Sequence, residues 1–136
     1  MPIAYLGREW GRQALATLRS DPRVKEAVEG LNVSVLTRIT GAPEGRYAWL
    51  YATFDDGKVE GSMGKDDSGL EALPAPAFTI TGPYEVFASI QRGELTEHRA
   101  FLSGQLQVDG NRLKALRLLG PLSTVTGVLA KIECET

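Results

Sequence analysis

A single cysteine, Cys134, excludes an intramolecular disulfide and a thiolate metal cluster. Near the chain end, with no basic neighbour in sequence, it is not read as a reactive thiol. His98 is the only histidine, so a metal site built from several histidines is excluded, and a triad would need it beside a nucleophile whose position the sequence does not give. No apolar run approaches the ~18 residues of a membrane-spanning helix, and no signal-peptide pattern follows Met1, so a cytoplasmic location is the expectation. Neither sign of charge dominates: 15 basic against 17 acidic residues leave a formal net charge of −2, which gives no footprint for nucleic acid. The fragment Gly61-Ser62-Met63-Gly64-Lys65 misses the phosphate-loop pattern, because Val59 and Asp66 stand where glycine and a hydroxyl residue are required. Asp55-Asp56 and Asp66-Asp67 are neighbours in turns without calcium-loop spacing, and no Gly-x-Ser-x-Gly elbow occurs. Neither catalysis, a cofactor nor a metal is expected from these residues.

What the chain does contain is the material of one globular domain. With 136 residues it is too short for two comfortable domains, and 43% hydrophobic residues suffice for a core without staples. The clearest local signals run over 78–119. A short apolar strand, Phe78-Thr79-Ile80-Thr81, is stopped by Gly82-Pro83, and a helical pattern follows over 83–91 with Gly93 past its end. Thr96 caps a second short helix over 97–102, which Gly104 closes. Residues 105–109 alternate apolar with polar, the period of a half-buried strand. Asn111 then caps a helix carrying Leu113, Leu116 and Leu119. Gly120-Pro121 is expected to break or kink that helix. Val125, Val128 or Leu129, and Ile132 mark a last helix, after which residues 133–136 trail off.

The first thirty residues read as a helical arm. Leu6, Trp10, Ala14 and Leu18 recur at helical spacing up to about Arg19, and Asp21-Pro22 starts a second helix carrying Val24 and Val28 that Gly30 ends. Trp10 is read as a core anchor, with the mouth of a ligand cavity as the alternative. Strands are expected over 31–40, 46–55 and 58–63, the last two joined by an Asp56-Gly57 hairpin turn. Residues 64–77 form the longest irregular loop. The expected fold is α+β: a five-stranded, largely antiparallel sheet with helices packed on one face.

The stretch 78–119 resembles the sterol carrier protein 2 family. The residues that carry the resemblance are the Thr79-Ile80-Thr81 strand, Phe87 and Ile90 with Gly93 directly after their helix, Ala100-Phe101 with Gly104, and Leu106, Val108 and Gly110-Asn111 before an apolar helix. Outside that stretch the likeness is one of layout. The resemblance implies a lipid-binding domain over 1–136, with 1–30 as its helical arm, holding a fatty acid, fatty acyl-coenzyme A, sterol or isoprenoid between sheet and helices. The ligand would be held by Phe87, Ile90, Phe101, Leu102, Leu106, Leu113 and Leu116, with the segment after Pro121 as a lid. The chain ends in Glu133-Cys134-Glu135-Thr136 instead of the family's peroxisomal small-Lys-Leu tripeptide, so that address is not expected.

Apolar burial alone can drive such binding. At about 0.8 kcal/mol per methylene, a chain of roughly sixteen carbons offers on the order of 12 kcal/mol before the loss of motional freedom. No polar signature is therefore required, and the partner expected is a small apolar ligand, with transient membrane contact left open together with the oligomeric state. An accessory module whose apolar groove docks a partner protein, as in lipid or quinone metabolism, is the alternative. A small hydrolase would require His98 beside Ser89, Ser103 or another hydroxyl.

Overall fold

The computed structural model describes residues 3–136, with the side chain of Arg112 excepted; Met1, where no leader pattern is read, and Pro2 lie outside the described residues. The chain runs β1 (Ile3–Ala4), α1 (Arg8–Ser20), α2 (Pro22–Val28), β2 (Asn32–Thr40), β3 (Trp49–Asp55), β4 (Lys58–Gly64), β5 (Phe78–Pro83), α3 (Tyr84–Gln91), α4 (Glu97–Leu102), β6 (Gln107–Gly110), α5 (Arg112–Leu129) and β7 (Cys134–Glu135). Strands β2 to β6 form a five-stranded sheet in the order β4-β3-β2-β5-β6. Only the β2–β5 pair is parallel, and the others are antiparallel. The α+β, largely antiparallel fold is thus the one the sequence predicts.

Local chemistry accounts for the element ends. Asp21 accepts from the Arg23 backbone N–H at 2.8 Å, and Asn111 accepts from those of Leu113 and Lys114 at 3.0 and 3.2 Å, satisfying donors that each helix start leaves free. Thr96 does the same for Arg99 at 3.1 Å. Gly93 and Gly104 end α3 and α4 with φ of +78°, a left-handed conformation that a Cβ would strain.

Strand register decides which residues meet the helices. Val35 lies opposite Ala52, Thr37 opposite Leu50 and Ile80, and Ala52 opposite Gly61, so these positions share one face. On the other face Trp49 is buried although no helix covers it. Its indole N–H donates to the Asp66 carbonyl at 2.7 Å, and a Cβ on the paired Gly64 would come within 2.4 Å of its ring. The long loop therefore folds back as a cover over the outer face.

Three expectations are corrected. The first is that Gly82-Pro83 stops the strand: β5 continues through both, pairing Ile39 with Gly82 and Thr40 with Pro83. A Cβ at Gly82 would lie 2.4 Å from a Leu106 methyl, so glycine here makes room for Leu106 and does not end the strand. The second is the break at Pro121. Helix α5 runs unbroken from Arg112 to Leu129, because Leu118 on one side of the proline and Val125 and Val128 on the other are all buried. Burying these side chains, at roughly 1.5–3 kcal/mol each, outweighs the ~3 kcal/mol cost of an interior proline. The third is the tail: Ile132 lies beyond the helix end, and residues 134–135 form β7, parallel to β1, with Ile3 opposite Cys134. The Tyr84 hydroxyl and the Arg92 guanidinium anchor Thr136 at 3.0 and 2.8 Å.

Candidate functional site

Between the sheet and its helices the buried residues fall into three clusters, bridged by half-buried side chains such as Phe87, Leu129 and Val33. One cluster gathers Tyr5, Leu6, Trp10, Ala14, Ile39, Tyr84 and Ala88. A second joins Val35, Phe78, Ile80 and Ile90 to Ala100, Leu106 and Leu118. A third places Val24 and Val28 of α2 against Phe54, Val59, Val125 and Val128. Here a cavity of about 170 Å³ lies among the three and takes wall residues from each, including Trp10, Ile80, Ile90, Phe54 and Val125. A closed apolar space of ~150 Å³ already accepts a benzene-sized guest.

A second space, about 580 Å³, lies between the β5–β6 edge of the sheet and helices α4 and α5. That is within the roughly 300–1,000 Å³ of ordinary ligand pockets. Its walls include Phe78, Phe101, Leu102, Leu106, Leu116 and Leu118. Ile80 and Leu122 line both spaces, so two side chains stand between them.

The seven positions named from the sequence separate accordingly. Phe87 and Ile90 of α3 face the smaller cavity. Phe101, Leu102, Leu106 and Leu116 line the larger one. Leu113 lines neither: it stands on the outside of α5, 73% exposed. The segment after Pro121 contributes wall residues, since Leu122, Val125, Thr126 and Leu129 all face the smaller cavity. Trp10 is a core residue and a cavity wall at once, 3% exposed.

The sequence did not single out Glu97. It opens α4 on the surface, yet its carboxyl reaches inward to the cavity wall, where the Thr126 hydroxyl donates to it. Thr126 is 29 residues away on α5, so no local spacing could have signalled the pair. Burial pushes the Glu97 carboxyl above its ordinary value, and the Thr126 hydrogen bond opposes that shift in part. An acid raised on folding holds more protons in the native chain than in the unfolded one. Stability is then fully present below the ordinary value of 4.5 and falls as pH climbs toward the raised one. Glu97→Gln is expected to remove that slope, melting a few degrees above the wild type at pH 8 and level with it near pH 4. Thermal melts across that range check this.

Other ionisable groups play smaller parts. Tyr5 is held well above the phenol range, first by burial and then by Cys134, Tyr84 and Glu97. Cys134 is half-buried and also raised, mainly by burial. His98 is exposed; Ser89 meets Arg92, and Ser103 meets the Ala100 carbonyl and the Gln105 amide. Among the described residues no helix is long and apolar enough to cross a membrane.

The chain superposes on the crystal structure of sterol carrier protein 2 with a TM-score of 0.70 at 13% identity, covering 91% of this chain and 95% of that one. The conserved hypothetical protein TT1886 from Thermus thermophilus gives 0.67 at 13% identity, covering 96% and 90%. Palmitated SCP2L2 from Aedes aegypti gives 0.54 at 17%, covering 84% and 92%. At these identities the likeness establishes a common fold. No curated protein sequence matches. The profile of the SCP-2 sterol transfer family matches residues 12–123, most of the described fold from within α1 into α5. The chain belongs to the SCP-2 sterol transfer family.

Proposed function

We propose that residues 1–136 act as one non-enzymatic lipid-binding domain, taking up a long apolar ligand of the fatty acid, fatty acyl-coenzyme A, sterol or isoprenoid kind between sheet and helices. The observation that carries the reading is the pair of spaces left among the core clusters. Two spaces lined largely by apolar side chains meet at Ile80 and Leu122 where a solid core would be expected. In support, the family is one of sterol transfer, and a neighbour of the same fold is described as palmitated. Phe101→Trp tests it. In an open cavity the larger ring fills ligand space, so affinity for a fluorescent apolar probe falls while the melting temperature changes little. In a solid core the same change overpacks and costs about 1–3 kcal/mol.

Transfer also needs a surface at which the ligand can leave. Leu102, Leu113 and Leu116 are exposed by 75%, 73% and 61%, and two of them rim the larger space. The exposed cations Arg99, Lys114 and Arg117 stand beside them in α4 and α5. Leucines interleaved with cations suit an anionic bilayer surface. Replacing all three leucines by serine is expected to abolish co-sedimentation with phosphatidylserine-containing vesicles without lowering the melting temperature. Unchanged sedimentation would instead favour an accessory module docking a partner protein through this ridge.

A further inference from the structure

One end of the smaller cavity is walled by Tyr5, Trp10, Gln91 and Leu129. Each of these belongs to, bonds to or packs with the segment 129–136. Backbone pairing sets Cys134 and Glu135 of β7 against Ile3 and Ala4, and the Tyr5 N–H donates to the Glu135 carbonyl at 2.9 Å. The amide of the buried Gln91 donates to the Leu129 and Ile132 carbonyls at 3.0 and 3.1 Å. Tyr84 and Arg92 hold Thr136 at 3.0 and 2.8 Å. Ile132 and Cys134 pack on the cluster that contains Trp10. These side-chain ties come from α3 and the residue after it, and the backbone ties come from β1 and Tyr5.

The partners of this segment are fixed by burial, and the segment is not. Tyr5 and Leu6 are buried. The Tyr5 carbonyl accepts from the Arg46 guanidinium at 2.8 Å, and the Leu6 carbonyl accepts from the Tyr47 N–H at 2.7 Å. The second half of α5 is held as well, since Val125 and Val128 pack among Val24, Val28 and Phe54. Within 130–136, by contrast, Ala130, Ile132 and Cys134 are only half-buried, and Lys131, Glu133, Glu135 and Thr136 are exposed. Lifting these residues uncovers little apolar surface. A segment held by a few bonds at the edge of a fold opens far more often than the core beneath it.

On the footing of the binding reading above, we propose that residues 130–136 are a strap that gates the smaller cavity. Fastened to β1 and α3, the strap closes that end. Released, it opens a passage between α3 and β1 for an apolar molecule, while α5 stays in place. At about 170 Å³ the cavity lies below the roughly 300–1,000 Å³ of ordinary ligand pockets, so a long guest needs the room that release provides.

Cys134 supplies the test, because Ile3 stands directly opposite it and paired strands lie about 4.7–4.9 Å apart, within disulfide reach. Ile3→Cys, oxidised, fixes the strap shut. Stopped-flow uptake and release of cis-parinaric acid should both slow at least tenfold in the crosslinked full chain and recover on reduction with dithiothreitol. Tyr84→Phe combined with Arg92→Ala removes both side-chain ties to Thr136 while keeping the buried ring, and should speed exchange severalfold. Labelling of Cys134 by a small thiol reagent follows strap opening in wild type and double variant, and should accelerate by the same factor. Uptake that the crosslink leaves unchanged overturns the strap. So does a double variant in which Cys134 labels faster while uptake stays the same, or in which neither rate moves. In each of these cases binding itself stands. No saturable uptake of cis-parinaric acid by folded wild-type protein overturns the binding reading and the strap together.

Discussion

Leu122→Trp is expected to lower affinity for a long apolar ligand about a hundredfold while shifting the melting temperature by no more than a few degrees. Leu122 lines both spaces and, with Ile80, stands between them. An indole there occupies room that ligand methylenes would otherwise fill. Displacing four of them removes roughly 3 kcal/mol at about 0.8 kcal/mol each, which is a factor of about a hundred in the dissociation constant. The variant is informative because its two readouts move in opposite senses under the alternatives. A packed interior would answer the added ring with a destabilisation of about 1–3 kcal/mol and no specific change in binding. Fluorescence titration and thermal melting on one preparation check both.

The second large effect is one of stability. Trp49→Ala is expected to cost about 3–5 kcal/mol, the usual range for deleting a buried tryptophan, and to loosen the 64–77 loop. Trp49 sits on the sheet face away from the helices, where its ring fills the space left by Gly64 and its N–H holds the Asp66 carbonyl. Removing it leaves that carbonyl without its partner and uncovers the start of β3. Because the ring lies on the opposite side of the sheet from both cavities, ligand affinity of the surviving folded fraction should be nearly unchanged. Urea denaturation, combined with hydrogen exchange of loop amides, tests both halves.

Much of the architecture was legible because it rests on local rules. The caps at Asp21, Thr96 and Asn111, the hairpin turn at Asp56-Gly57 and the period-two pattern of the strands each require only a few neighbouring residues, and the five predicted strands of the sheet and helices α1 to α4 are present. The misreadings share a cause, which is tertiary contact overriding a local signal. Pro121 reads as a helix breaker, yet burial of Leu118, Val125 and Val128 carries α5 through it. The last residues read as a fraying end, yet pairing of β7 with β1 and the grip of Tyr84 and Arg92 on Thr136 order them.

The site was legible only in outline. The excess of large apolar residues lies in α3 to α5, and Phe87, Ile90, Phe101, Leu102, Leu106 and Leu116 line one space or the other. Leu113 shows the limit of that logic: hydrophobicity does not reveal which side of α5 a leucine occupies. Glu97 shows the converse. A glutamate in the first turn of a short surface helix is the commonest of residues, and its inward reach depends on Thr126, which only the fold brings near.

The central claim is that the space between sheet and helices holds an apolar molecule. Native mass spectrometry of the full chain, purified without detergent, tests it most directly, followed by organic extraction and titration of the stripped protein with a neutral apolar probe. The account predicts an adduct of one small apolar molecule per chain, removed by extraction and restored by saturable uptake of the probe, with uptake weakened by Leu122→Trp. A bare mass, with no saturable uptake by a protein that remains folded, would contradict it.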